Sequence, residues 1–164
     1  MKRVYLSLGS NLGDRAAHLR RALAELGEAG IKVVRVSPFY RTEPVDYRPQ
    51  PWFVNCVAEI ETDLLPLKLL STIQKIERKL GRRRTLQKGP RPVDLDILFY
   101  ENAVIRSAAL TVPHERLSER RFVLVPLCDI APNFRHPATC RTVAEMLTET
   151  PDRSQVLPMT AERS

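Results

Sequence analysis

Asp94 and Asp96 stand two residues apart in the segment PVDLDILFY, residues 92–100. In a strand, alternation turns both carboxylates to one face and sends Val93, Leu95, Ile97 and Phe99 to the other. At the rise of an extended chain the two acids lie about 7 Å apart. At an effective dielectric of 20 they repel by about 2 kcal/mol, so the pair is a cost unless water screens it or a cation lies between. Two readings follow. A solvated edge face needs no partner, whereas a phosphate site would use the pair to clamp divalent cations, which sit about 3.5 to 4 Å apart in two-metal centres.

The basic residues favour the second reading. Residues 78–91, RKLGRRRTLQKGPR, carry Arg78, Lys79, Arg82, Arg83, Arg84, Lys88 and Arg91 without an acid, a cluster equal in size to the whole net charge of +7. Such a run predicts a polyanionic partner. Arginine makes up 20 of the 26 basic residues; an arginine-biased genome would give the same total, so the clustering carries the weight. None of the six glycines precedes a lysine, which excludes a Walker A loop, and GSNLG lacks the dinucleotide-binding spacing. Phosphates must then be held by side chains, with Arg82, Arg83, Arg84 and Arg91 as bidentate forks and Mg²⁺ neutralising the remainder. Arg91 precedes Asp94 by three residues, so the cationic and acidic groups are neighbours in any fold.

Two further groups have chemistry open to them. His114, in LTVPHERL, is followed by Arg116, Arg120 and Arg121. It is either a surface histidine in a turn or a donor to a phosphate oxygen. Trp52, Phe53 and Asn55 could stack on and bond a flat heterocycle, or could simply begin a strand.

These residues need a scaffold. A strand is expected over residues 3–8. Asp14 caps a helix with Leu19, Ala22, Leu23 and Leu26 on one stripe, and Gly27 and Gly30 are its stop signals. A second strand is expected over 32–37, then a long irregular loop through Pro38, Pro44, Pro49 and Pro51. Residues 53–62 read as a strand. Pro66 opens a helix whose stripe is Leu69, Ile73, Ile76 and Leu80, closed by Gly81. After the Asp pair come a short strand or turn at 104–106 and a short helix ending before Pro132. A last helix starts at the Thr142–Glu145 capping box, and fraying is expected beyond Pro151. The pattern predicts an α+β fold, a ferredoxin-like α/β sandwich with a mainly antiparallel sheet and helices on both faces.

With 164 residues, 43% of them hydrophobic, the chain is expected to form one domain over 1–164, with a tail after about residue 151. Val4 to Leu8 is too short and interrupted for a signal peptide, and no apolar run nears the ~20 residues of a membrane span, so a cytoplasmic protein is expected. Cys56, Cys128 and Cys140 are odd in number and scattered, which predicts reduced, partly buried thiols. His136 and Cys140 lack the second half of a zinc site.

SLGSNLGD, SPFYRTEPV, FVNCV, GPRPVDLDIL, LTVPHERL and RRFVLVPLCDIAP occur in this order from about Val4 to Pro132. Together they resemble the 6-hydroxymethyl-7,8-dihydropterin pyrophosphokinase family of folate synthesis. The resemblance implies transfer of the β,γ-pyrophosphoryl group of ATP to the pterin hydroxymethyl oxygen, releasing AMP. It implies that Asp94 and Asp96 hold two Mg²⁺ ions and that Arg82, Arg91, His114 and Arg120, with Arg84, bind phosphate. Gln74, Glu77, Ile97 and Thr111 are similar to residues lining the ATP site. Thr42, Pro44, Val45, Phe53, Asn55 and Phe122 are similar to the pterin pocket, where Phe53 and Phe122 sandwich the ring. Arg82, Arg91, Asp94 and Asp96 would carry catalysis. No strong general base stands out, and Asp96 is the carboxylate at hand.

A monomer acting on ATP and the pterin, without nucleic acid or membrane, is the expectation. Lys88 replaces the tryptophan that usually precedes the GPR block, and Glu115 follows His114 where the family often has proline. Residues 82–91 are expected to order on binding nucleotide. Two alternatives remain open on residue chemistry alone: an RNA-binding module, opposed by the Asp pair and by only 6% aromatic residues, and a two-metal phosphatase or nuclease.

Overall fold

The computed structural model describes residues 1–45, 49–81 and 92–159. Its elements are β1 (Lys2–Ser10), α1 (Arg15–Glu28), β2 (Lys32–Val36), β3 (Tyr40–Thr42), β4 (Phe53–Thr62), α2 (Pro66–Lys79) and β5 (Asp94–Tyr100), followed by β6 (Ile105–Arg106), β7 (Thr111–Val112), α3 (Arg121–Ile130), α4 (Val143–Glu149) and β8 (Val156–Pro158). The main sheet runs β5-β1-β4-β3-β8, with β2 also on β4. Every pairing in it is antiparallel, and β6 and β7 form a separate ribbon. This is the expected α+β sandwich.

Local chemistry accounts for the helix ends. The Asp14 carboxylate accepts from Ala17 N–H at 3.2 Å and caps α1. Gly30, at φ 81°, supplies the left-handed residue after that helix, whereas Gly27 lies inside it. Pro66 occupies the start of α2, and Gly81 at φ 97° follows its end. Thr142 and Glu145 form the expected capping box on α4.

Leu19, Ala22 and Leu26 of α1 and Leu69, Ile73 and Ile76 of α2 are buried against Val4, Leu6, Leu8, Val54, Cys56, Ala58 and Ile60 of the sheet. Each buried Val, Leu or Ile among them contributes about 1.5–3 kcal/mol through burial. The other face carries a second core, in which Val123, Leu124 and Leu127 of α3 and Val143 and Met146 of α4 meet Tyr5, Val57 and Phe99.

Three expectations are corrected. The proline-rich loop contains β3, because Tyr40–Thr42 finds β4 residues 53–55 as a pairing partner. Beyond Pro151 the chain forms β8, which pairs with the exposed edge of β3. Phe99 lies on the face opposite Leu95 and Ile97: the register passes from Leu6↔Ile97 to Tyr5↔Phe99, and the extra residue, Leu98, shifts the alternation. Phe99 therefore packs edge-to-face on Tyr5 and at a tilt on Phe134, ring centroids 6.4 and 4.6 Å away. The cysteines are free as expected, although Cys140 is exposed.

Candidate active site

Sheet register assembles the site. Gly9 of β1 pairs with Asp94 on one side and Asn55 on the other, and Asn55 pairs onward with Tyr40. Two residues along, Ser7 lies between Asp96 and Val57. With strands about 4.8 Å apart, Asp94 and Asn55 flank Gly9 at roughly 10 Å from each other, on the sheet face that α3 and α4 cover only in part. The uncovered part is an open cleft.

Ser7, Gly9 and Asn55 form its floor, Asp94 and Asp96 one wall, and Thr42, Glu43, Pro44 and Val45 another. Gln50, Phe53, Arg120 and Phe122 complete the lining. A Cβ on Gly9 would stand 2.5 Å from Asn55 Oδ1 and 3.6 Å from the Phe53 ring, so glycine is what lets the amide and ring close over the floor. Asn55 is buried and its Nδ2 donates to Thr42 Oγ1 at 2.5 Å, which turns Oδ1 toward Gly9. The Arg120 guanidinium lies 5.5 Å from the Phe122 ring centroid, a cation held against one aromatic wall.

All six residues expected for a heterocycle pocket line this cleft, together with Asp94, Asp96 and Arg120. Ser7, Gly9, Glu43 and Gln50 were missed. The signal for Gly9 was available, since a glycine inside a strand marks a close backbone approach. Of the described residues expected around a nucleotide, Arg120 lines the cleft, and Glu77 and His114 lie along β5. Buried Glu77 accepts from Leu95 N–H at 2.7 Å, so α2 secures the strand midway between the two aspartates. His114 N–H donates to Leu98 O at 3.0 Å. The Ile97 side chain is buried in the α1–α2 core, Gln74 is exposed on α2, and Thr111 is half-buried in β7. Arg82, Arg84 and Arg91, the expected ordering of residues 82–91, and Lys88 lie outside the described residues.

Burial lowers the His114 pKa, and the nearby Arg120 charge pushes it further down. Its Nδ1 accepts from Arg116 N–H at 3.3 Å. In the neutral ring the proton is therefore on Nε2, which makes His114 a donor. Among the described residues no cluster of three His, Cys, Asp or Glu is arranged to hold a metal ion. Two carboxylates open to a cleft nonetheless suit Mg²⁺, which binds through one or two carboxylates plus substrate phosphates and keeps several waters.

The sequence model of the family described as 7,8-dihydro-6-hydroxymethylpterin-pyrophosphokinase (HPPK) matches residues 5–132. The chain is 46% identical over 136 residues to the 2-amino-4-hydroxy-6-hydroxymethyldihydropteridine pyrophosphokinase of Bacillus subtilis, covering 82% of this chain and 81% of that one. It is 46% identical over 153 residues to the folic acid synthesis protein fol1 of Schizosaccharomyces pombe, covering 93% of this chain but only 21% of the fungal protein. The chain thus spans about a fifth of the length of that relative and of its Pneumocystis carinii counterpart. The crystal structure of wild-type Plasmodium falciparum HPPK-DHPS has a similar fold, with a TM-score of 0.70 over 90% of this chain and 43% of that one, at 16% identity. The chain belongs to the 7,8-dihydro-6-hydroxymethylpterin-pyrophosphokinase family.

Proposed function

We propose that this protein transfers the β,γ-pyrophosphoryl group of ATP to the hydroxymethyl oxygen of 6-hydroxymethyl-7,8-dihydropterin, giving the pterin diphosphate and AMP. One observation carries the reading: the row Asp94, Gly9, Asn55 puts an acidic wall and an amide on either side of an open floor, with Phe53 and Phe122 lining the same cleft. A flat ring rests over Gly9 between the two phenyl groups. Asn55 and Thr42 bond its polar edge, and Pro44 and Val45 close the side. The hydroxymethyl arm then points toward Asp94 and Asp96.

The chemistry is in-line attack of the hydroxymethyl oxygen on the β-phosphorus with departure of AMP, so the protein's share is positioning and charge stabilisation. Two Mg²⁺ held by Asp94 and Asp96 would supply countercharge to the triphosphate. We assign Arg82, Arg84, Arg91, His114 and Arg120 to its oxygens, with His114 donating through Nε2. Gln74, Glu77, Ile97 and Thr111 are assigned to the ATP side. Catalysis is assigned to Arg82, Arg91, Asp94 and Asp96. In this reading residues 1–164 act as one pyrophosphokinase domain, a cytoplasmic monomer that engages neither nucleic acid nor membrane. No helix among the described residues is long and apolar enough to cross a membrane.

Incubation with ATP, Mg²⁺ and the reduced pterin alcohol tests this. AMP formed only when the pterin is present supports transfer. ADP, free phosphate or pterin-independent turnover refutes it and favours the hydrolase reading, and RNA retention without turnover favours the binding module.

A further inference from the structure

The family match ends at residue 132, yet the segment after α4 reaches both walls of the cleft. On one side, Asp152 Oδ2 accepts from Arg121 N–H at 2.8 Å, and Arg121 Nη1 donates to Ser154 O at 2.7 Å. Arg121 is the first residue of α3 and lies between the cleft residues Arg120 and Phe122. The residue at the cap position, Arg120, offers no side-chain cap, so the first N–H of α3 is satisfied by a carboxylate 31 residues away. A carboxylate at that end of the helix also meets the favourable end of its dipole.

On the other side, Gln155 N–H donates to Glu43 Oε1 at 2.7 Å, and Glu43 N–H donates to Gln155 O at 3.2 Å. Val156 then pairs with Thr42, whose hydroxyl accepts from Asn55. Asp152 Oδ1 accepts from Ser154 N–H at 2.9 Å and from its hydroxyl, which fixes the turn joining the two sets of bonds. Five consecutive residues thus connect the Thr42–Glu43 wall to the Arg120–Phe122 wall.

We propose that residues 152–156 are a brace that sets the width of the heterocycle cleft, and that Asp152 is a positioning residue for the pterin. This rests on the pterin reading above. Asp152 acts through Arg121 on the placement of Phe122 and Arg120, and β8 acts on Thr42 and Glu43. The brace therefore bears chiefly on the pterin side of the reaction and reaches the triphosphate only through Arg120.

The test compares wild type with Asp152→Ala, Asp152→Asn and Gln155→Pro. Asparagine keeps one of the two acceptor positions, and proline removes the N–H given to Glu43 without touching Asp152. The expected result is a KM for the pterin about tenfold higher in Asp152→Ala, less raised in Asp152→Asn and raised in Gln155→Pro, with the KM for ATP, which the brace reaches only through Arg120, raised less than that for the pterin in each variant. Amide exchange on the substrate-free proteins gives a second readout. Arg121 N–H should exchange faster in Asp152→Ala, and Glu43 N–H faster in Gln155→Pro. Unchanged exchange at these amides, or equal changes in both KM values, overturns the brace. A wild-type protein that ignores the pterin overturns the functional reading instead, and does so before any variant is compared.

Discussion

The two faces of one sheet differ in what their strands may carry. On the α1–α2 face, β1 presents Val4, Leu6 and Leu8 and β4 presents Val54, Cys56, Ala58 and Ile60, all sealed under two helices. One residue out of phase, the same strands present Ser7, Gly9, Asn55 and, from β5, Asp94 and Asp96. Short α3 and α4 cover only the half of that face near Tyr5, Val57 and Phe99. The closed face stabilises the strands so that the open face can hold polar and charged groups at a fixed spacing. Rigidity and chemistry thus come from alternate residues of the same backbone.

Substitutions can break this division, and the largest effect is expected at the acidic wall. Asp96→Ala should lower AMP formation by at least about 10³-fold while the melting temperature stays close to wild type. Activity within tenfold of wild type would end the role given to this carboxylate. Next comes the sealed face. Leu6→Ala should destabilise the fold by about 2–5 kcal/mol in denaturant titration, yet leave the KM for the pterin of the folded fraction unchanged. A changed KM there would mean that the two faces are not separable.

Gly9→Ala should fall between these extremes, because its Cβ meets Asn55 Oδ1 at 2.5 Å. A stability loss of about 1–3 kcal/mol is expected, together with a pterin KM raised more than that for ATP. Equal KM values with full stability would show that the floor has room to spare.

The smallest expected effect is a pH dependence under the covered half of the open face. His136 packs edge-on to Phe99, centroids 5.7 Å apart, and burial lowers its pKa from 6.5. The folded state then resists the proton that the unfolded chain accepts. Stability contributed above pH 6.5 is lost as the pH falls through 6.5 toward the lower folded value. His114 contributes with the same sign. His136→Asn, which can still accept from the Ala138 and Thr139 amides, should show a shallower decline in melting temperature between pH 6.5 and 5. A decline as steep as wild type would assign the whole effect to other groups.

Much of the scaffold was legible because it depends on local signals. The Asp14 cap, Pro66, Gly81 and the Thr142–Glu145 box each act within a few residues, and strand 53–62 announces itself by composition. The strands β3 and β8 were not legible. Three-residue strands have too little pattern of their own, and each exists because the other chain segment completes its hydrogen bonds. The face of Phe99 was misread because a bulge at Leu98 is set by pairing with β1, not by anything within β5.

Residue types by themselves determined that the chain carries a carboxylate pair on one strand face, a cationic stretch three residues upstream, and aromatic and amide groups suited to a flat ring. They are covalent facts, and their short-range consequences follow from helix and strand geometry. Only the tertiary structure decided that Asp94, Gly9 and Asn55 share one row, that Glu77 secures Leu95, and that Asp152 caps a helix begun 31 residues earlier. Each of these depends on strand register or on contacts between segments far apart in sequence, which no local periodicity specifies.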